Sequence, residues 1–182
     1  MKQNKNATSY ALVALSFLTL ASSAVSPVLA SVGEAYPDVS STRISLLTTF
    51  PSLLSIPMTL ICGHMAGKKV SYRALTICGL TCNLISGIAP FFTHNFYLLL
   101  LWRALFGCGT GILTPLIMPV MMSVFQGEEV HRQASLNAVA TNIGAVMFQM
   151  LGGAACAAWG WQATFLIYIV VFPVLVIVAR IM

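Results

Sequence analysis

Residues 103–111 read Arg103-Ala104-Leu105-Phe106-Gly107-Cys108-Gly109-Thr110-Gly111 and lie inside an apolar run that extends from Phe96 to Phe125. A charged side chain in the middle of a membrane helix costs about 3 kcal/mol on insertion scales. We therefore expect Arg103 to face the interior of a helix bundle or an aqueous cavity. The alternative is that it snorkels to the bilayer surface, because it lies only seven residues after the start of the run.

The glycines that follow Arg103 favour the interior position. Gly107 and Gly111 are four residues apart and share one helix face, with Gly109 between them. Glycines at this spacing remove side-chain bulk, so that the backbone of a neighbouring membrane helix can approach closely. The pattern predicts a helix inside a packed bundle, with its arginine directed inward.

The composition of the whole chain indicates an integral membrane protein. Of 182 residues, 58% are hydrophobic and only 7% are charged, whereas soluble domains carry about 25% charged residues. Six apolar runs are each long enough to cross a bilayer about 30 Å thick as a helix. We predict an all-α fold, a polytopic membrane helix bundle, whose six transmembrane helices include residues 10–30, 44–62, 74–92, 96–125, 134–158 and 163–179.

The basic residues predict how the bundle is oriented. If the N-terminus is cytoplasmic, seven basic residues fall on the inner side and only Arg43 falls on the outer side, where Glu34 and Asp38 accompany it. Cytoplasmic loops carry an excess of lysine and arginine. We therefore expect a multi-pass protein of the cell membrane (the plasma or inner membrane) with both termini cytoplasmic; the seven inner residues are Lys2, Lys5, Lys68, Lys69, Arg73, Arg132 and Arg180.

The first run also has features of a secretory signal, since two lysines precede it and it ends in Val28-Leu29-Ala30. The apolar part of a signal peptide has about 7–15 residues, and this run has 21. Five further runs follow it. These features favour a retained first helix.

The connection between the second and third runs is basic and begins with glycine: Gly63-His64-Met65-Ala66-Gly67-Lys68-Lys69-Val70-Ser71-Tyr72-Arg73. With the 103–111 segment, it resembles the first six-helix half of the major facilitator superfamily. The family pattern G-x-x-x-D-R-x-G-R-[RK] is matched at Gly63 and Lys68, with Arg73 as a nearby second charge. The loop departs from the pattern at Gly67 and Val70. The fourth-helix pattern R-x-x-x-G-x-G-x-G is matched in full.

The resemblance implies a half-transporter built from an inverted 3+3 repeat of helices. It implies that Arg103, with Gly107, Gly109 and Gly111, helps to couple a proton or substrate to conformational change. It also implies a gating loop that contains Gly63, Lys68 and Arg73. Anchoring to anionic lipid headgroups explains the loop's charges equally well. Because Gly67 replaces the family's aspartate, we expect any latch to use another acid, such as Glu128 or Glu129.

A transporter of this family has its substrate route between two six-helix halves, so the resemblance implies a second half as partner. It would belong to the same parent chain or to a homodimer. We expect the chain to be a fragment or a truncated product rather than a dimerising half. The other expected partners are the lipid bilayer and a small-molecule substrate, with no nucleic acid.

Few polar side chains are available inside the runs to line a cavity. No Asp or Glu occurs in any of them, so a coupling carboxylate within this chain would have to be Glu34 or Asp38. Asn83, Asn142 and Gln149 are candidates for cavity lining, and interhelical hydrogen bonding is the alternative role for each.

The leading hypothesis is transport of a small molecule by alternating access, with proton-coupled efflux of a drug or metabolite as one form of it. The alternative is a membrane scaffold or sensor that transports nothing. The runs lack the clustered histidine, acid and nucleophile that an embedded enzyme needs, and no nucleotide or metal motif occurs. We therefore expect no enzymatic activity, no cofactor and no metal site.

Overall fold

The computed structural model describes residues 5–67 and 70–181 and contains six helices long and apolar enough to cross a membrane. We call them spans 1 to 6. Spans 2, 4 and 5 are continuous α-helices, while spans 1, 3 and 6 combine α-helical and 3₁₀-helical segments. Their bounds are Lys5–Ala35, Ser41–Met65, Tyr72–Phe92, Phe96–Val124, Glu128–Trp159 and Trp161–Val178, and the last helix continues to Ile181.

Short connections make successive spans run in opposite directions. Span 1 begins at one end of the bundle, which we call the N-terminal end. Span 5 begins at the same end, as the distance of 2.7 Å between Lys5 Nζ and Glu129 Oε2 shows. The helices coincide with the predicted runs, apart from their polar ends. Span 1 differs most, because it extends five residues further at each end, from Lys5 to Ala35. Span 5 begins at Glu128 rather than Ala134, since acidic residues in the first turn stabilise the start of a helix.

Span 1 is interrupted near its middle. It is α-helical over Lys5–Thr19, 3₁₀-helical over Ala21–Val28 and α-helical again over Leu29–Ala35. Pro27 has no N–H to donate to the preceding turn. The Ser23 hydroxyl also donates to the Leu20 carbonyl at 2.7 Å, in competition with the backbone ladder. Proline and serine together therefore explain why an otherwise apolar helix is broken here.

Two close helix pairs form the frame of the bundle: span 1 packs against span 5, and span 2 against span 4. Glycines permit the close approach in both pairs. A Cβ atom built on Gly144 would lie 2.2 Å from the Phe17 carbonyl oxygen, and one on Gly107 would lie 2.1 Å from that of Pro51. Exchanging spans 1–3 with spans 4–6 converts one pair into the other.

Tyr168 of span 6 lies at the centre of the apolar core and is fully buried. Three phenylalanine rings surround it, from spans 4, 5 and 6. Their centroids lie 5.0 to 6.4 Å from that of the tyrosine, within the range of favourable aromatic pairs. The three rings belong to Phe106, Phe148 and Phe165.

Candidate functional site: a buried arginine on the broken span

Arg103 is completely buried, at 0% exposure. Its Nε donates to the Leu47 carbonyl at 3.0 Å, and its Nη1 donates to the Tyr168 hydroxyl at 3.2 Å. Its Nη2 donates to the Ser22 hydroxyl at 2.7 Å and to the Ser22 carbonyl at 3.2 Å. The side chain therefore joins span 4 to spans 1, 2 and 6, and the expected inward position is the one observed, rather than snorkelling to the surface.

Two carbonyls that bind Arg103 are available because proline or a break interrupts the helical hydrogen bonds. The Leu47 carbonyl of span 2 lacks its usual donor, since Pro51 has no N–H. Ser22 belongs to the 3₁₀ segment, whose carbonyls are not all used by regular α-helical hydrogen bonds. Tyr168 completes the arrangement: its hydroxyl accepts from Arg103 and donates to the Ala21 carbonyl at 2.9 Å. Two successive carbonyls of the break are thus held by side chains from spans 4 and 6.

The electrostatics of the site are those of a cation among neutral dipoles. A guanidinium stays protonated under all physiological conditions. All four of its hydrogen bonds go to neutral oxygens, and its Cζ atom lies 5.3 Å from the Phe106 ring centroid. Among residues 5–67 and 70–181, no acidic side chain pairs with it, so the charge is hydrogen-bonded but not neutralised. Such a site attracts anionic groups and disfavours cations.

The glycines after Arg103 pack against two different neighbours. Gly107 and Gly111 face span 2, where a Cβ on Gly111 would lie 2.5 Å from the Ser55 carbonyl oxygen. Gly109 faces span 3, and a Cβ there would lie 2.1 Å from Asn83 Oδ1. The close backbone approach expected from the four-residue spacing is observed, and it brings spans 2 and 3 against span 4.

The predicted gating loop lies at the N-terminal end, away from the Arg103 network. Gly63 has open space around its Cα, and Arg73 is exposed in the first turn of span 3. Lys68 lies outside the described residues. The acid proposed as a substitute latch, Glu129, pairs with Lys5 of span 1.

The three candidate cavity residues lie in two different environments. Asn83 is buried between spans 3 and 4, against Gly109. Asn142 and Gln149 are exposed on one face of span 5, seven residues apart. Asn142 Nδ2 donates to the Ala138 carbonyl of its own helix at 2.8 Å, and its side chain borders a shallow apolar depression. The structure does not bring these residues together with Arg103 by hydrogen bonds.

Sequence reasoning did not identify Ser22 and Tyr168, the two side chains that bind Arg103. Ser22 is one of four serines in the first run, and Tyr168 is a single tyrosine in an apolar run. The combination of serines with Pro27 was the available signal, because it predicts a break with accessible carbonyls. No comparable signal distinguishes Tyr168.

We predict that Tyr168→Phe weakens the network without dismantling it. The change leaves the ring in place but removes the acceptor for Arg103 Nη1 and the donor to the Ala21 carbonyl. Leaving buried polar groups unpaired costs about 1–3 kcal/mol. We therefore expect a lower melting temperature in detergent and weaker protection of the 3₁₀ segment in hydrogen exchange.

Phe165→Leu is the matched control, because this neighbouring ring is equally buried but makes no hydrogen bond to span 1. It is expected to lower the melting temperature with no specific loss of protection in residues 21–28. Equal effects of the two variants on that segment would contradict the assigned role of the Tyr168 hydroxyl.

Comparison with known proteins identifies the family. Residues 11–182 match the Major Facilitator Superfamily. The chain belongs to that superfamily. It is therefore a multi-pass membrane protein, and its family consists of transporters rather than enzymes.

Two similar proteins are both longer than this chain. It is 28% identical over 153 residues to the bacillibactin exporter of Bacillus subtilis (strain 168). The aligned region covers 81% of this chain and 38% of the exporter. Its fold matches a crystal structure of a mutant peptide transporter POT in complex with alafosfalin, with a TM-score of 0.81 at 15% identity. That match covers 99% of this chain and 40% of the other. The chain thus spans about two fifths of each.

Proposed function

We propose that the chain forms the first half of a major facilitator transporter that moves a small molecule across the membrane by alternating access. The observation that carries the proposal is the Arg103 network, in which one buried cation binds three neighbouring spans and holds the broken middle of span 1. Broken helices near the centre of the membrane are typical of transporter sites, because their free backbone groups can bind substrates or ions.

The break in span 1 is where this half can change shape. A 3₁₀ segment has poorer hydrogen-bond geometry than an α-helix and is a common position for hinges. Arg103 and Tyr168 bind two of its carbonyls, so an anionic group of a substrate that competes for the guanidinium would release the Ser22 carbonyl and change the shape of the break. In this proposal, Arg103 is the coupling residue and Gly107, Gly109 and Gly111 hold its helix close to spans 2 and 3.

Spans 2 and 5 are the least enclosed spans, which supports a second half beside them. In an apolar stretch of 18 residues, only 17% of span 2 and 28% of span 5 are buried inside the bundle. The exposed face of span 5 carries Asn142 and Gln149, and uncharged polar side chains in membranes usually face other helices or water. We assign them to the substrate route or to the contact with the second half, whether that half belongs to the parent chain or to another copy.

The charge distribution supports a cytoplasmic N-terminal end. Lys5, Arg73, Arg132 and Arg180 lie at that end and Arg43 at the other, in agreement with the positive-inside rule. The location proposed is the cell membrane. The likeness to a bacillibactin exporter supports efflux as the direction of transport.

Export can be tested in the organism that carries the gene, by comparison with a strain from which the gene has been deleted. We expect the culture medium of a producing strain to contain at least one small molecule that is depleted in a deletion strain. Everted membrane vesicles should then accumulate that compound when energised. Absence of any such compound, together with a protein partner that copurifies in mild detergent, would contradict transport and favour the scaffold or sensor.

A further inference from the structure

The interface between spans 1 and 5 is polar along much of its length. Three serines of span 1 recur every seven residues and face span 5, where each takes part in a hydrogen bond through its hydroxyl or its carbonyl. The bonds run from Ser9 Oγ to Gln133 Oε1 (2.6 Å), from Thr141 Oγ1 to the Ser16 carbonyl (3.1 Å) and from Ser23 Oγ to the Ala145 carbonyl (3.2 Å).

Several polar atoms in this part of the bundle are buried without a hydrogen-bond partner in the described protein. Asn137 Nδ2, Ser16 Oγ and Thr8 Oγ1 are in this state, and their residues are 6%, 1% and 0% exposed. Asn137 lies between the Ser9 and Ser16 levels. Its Oδ1 accepts from Gln133 Nε2 at 3.0 Å, and Thr141 donates to its carbonyl at 2.9 Å.

Polar groups that are buried without a hydrogen-bond partner destabilise the folded protein, because they have lost their bonds to water. In proteins, groups of this kind are the usual partners of buried water, which makes about three hydrogen bonds per molecule. Asn137 Nδ2 and Ser16 Oγ belong to residues that Thr141 joins by hydrogen bonds to their carbonyls. They lie on two packed helices and satisfy the polar requirement for a water site.

One residue of this hydrogen-bonded group, Gln133, also lines a surface cleft. A cleft of about 180 Å³ opens at the N-terminal end between spans 1 and 5. Its lining includes Lys5, Ser9, Glu129, Arg132 and Gln133. Gln133 therefore faces the cleft while its amide also bonds to Asn137, one helical turn deeper.

We propose that the interface between spans 1 and 5 binds a file of water molecules that extends from this cleft past Gln133 to Asn137 and Ser16. Ser16 precedes Ser22 by six residues, about 9 Å along a helix. The file brings water from the N-terminal end to within about that distance of the Arg103 network. It lies inside this half and is separate from any route between two halves.

The test uses the reactivity of an introduced thiol with Ag⁺, which is small and strongly hydrated. The Ser16→Cys protein in detergent is exposed to Ag⁺, unfolded and alkylated, and mass spectrometry follows the loss of alkylation at position 16. The control is Leu18→Cys, on the same span and 2% exposed in an apolar environment. We expect the Ser16→Cys thiol to react at least about ten-fold faster, since thiol reactivity follows access to water and ions.

A second change separates hydration from local loosening. Adding Asn137→Leu to Ser16→Cys should slow the reaction to within about two-fold of the Leu18→Cys rate, because an apolar side chain cannot bind the water. Equal rates for the two single variants, or no slowing by Asn137→Leu, would overturn the proposal. The measurement requires no transport, so its failure is distinct from failure of the proposed function.

The melting temperature of Asn137→Leu alone provides an independent check. In a dry interface, Asn137→Leu removes the penalty for the unpaired Nδ2. Gln133 Nε2 loses its acceptor at Asn137 Oδ1 but keeps its longer bond to the Ser9 carbonyl at 3.5 Å, so the variant should be more stable. A hydrated amide should give an unchanged or lower melting temperature. A clear increase would therefore also overturn the water site.

Discussion

Replacing Arg103 with methionine is expected to reduce transport by the full protein at least ten-fold, a change of about 1.4 kcal/mol or more. Methionine has a similar reach but cannot donate hydrogen bonds. The variant leaves the Leu47 carbonyl and both oxygens of Ser22 without their donor. The 3₁₀ segment of span 1 then loses its link to span 4, although Tyr168 still donates to the Ala21 carbonyl.

The effect on stability should be smaller than the effect on transport. Unpaired oxygens are destabilising, but removing a buried charge also removes the free-energy cost of its desolvation. We expect a net loss of about 1–3 kcal/mol in the free energy of unfolding. Flux in vesicles and unfolding in detergent, measured on the same preparations, would separate the two effects.

Two further variants sharpen this test. Arg103→Lys keeps the charge but lacks the planar fork that reaches Ser22, Leu47 and Tyr168 together, so intermediate flux is expected. Leu101→Met introduces the same side chain on the exposed face of span 4, at 60% exposure, and should leave flux unchanged. Full activity of Arg103→Met would disprove a coupling role for the arginine.

The sequence was sufficient to predict the spans and the direction of the arginine. Apolar length defines a membrane helix almost independently of its neighbours, because the bilayer requires every backbone group to be paired internally. The cost of a charge in lipid likewise predicts an inward Arg103 without knowledge of its partners. The spacing of Gly107 and Gly111 predicts close contact with a neighbouring helix for a similar local reason.

The identity of the partners could not be predicted, because it depends on how distant spans pack. Leu47 and Ser22 bind Arg103 across 56 and 81 residues of sequence. Both contribute main-chain oxygens, which every residue possesses. The sequence does show that the Leu47 carbonyl lacks its helical donor, because Pro51 four residues later has no N–H. Leu53 stands in the same relation to Pro57, so which of the two carbonyls binds Arg103 depends on packing. The same reason applies to Asn83, whose position beside Gly109 follows from the contact between spans 3 and 4.

The two close helix pairs place their glycines on spans 4 and 5, and the partner helices present carbonyl oxygens to them. At this distance, helix association depends on van der Waals contact along the backbone rather than on the hydrophobic effect. Movement of span 2 relative to span 4 would thus alter the backbone that carries Leu47, and with it one partner of Arg103. The glycine contacts and the arginine network form one mechanical unit.

Gly107→Ala is therefore expected to be among the most destabilising single changes in this chain. The added Cβ would lie 2.1 Å from the Pro51 carbonyl oxygen and 2.6 Å from its Cα. Both are main-chain atoms that cannot move by rotating a side chain, so spans 2 and 4 must separate. Overpacking of this kind typically costs about 1–3 kcal/mol, and we expect the upper part of that range because the contact is with backbone.

Gly153→Ala is the matched control and should have the opposite sign. It is also a glycine inside a long helix, but its Cβ would lie 3.8 Å from Pro27 Cβ, an ordinary contact. Alanine favours a helix over glycine by up to about 1 kcal/mol, so this variant should be equally or more stable. Unfolding of both variants in detergent measures the difference. If Gly107→Ala were as stable as Gly153→Ala, spans 2 and 4 would not be in backbone contact at this position, and the link between their packing and the Arg103 network would have to be abandoned.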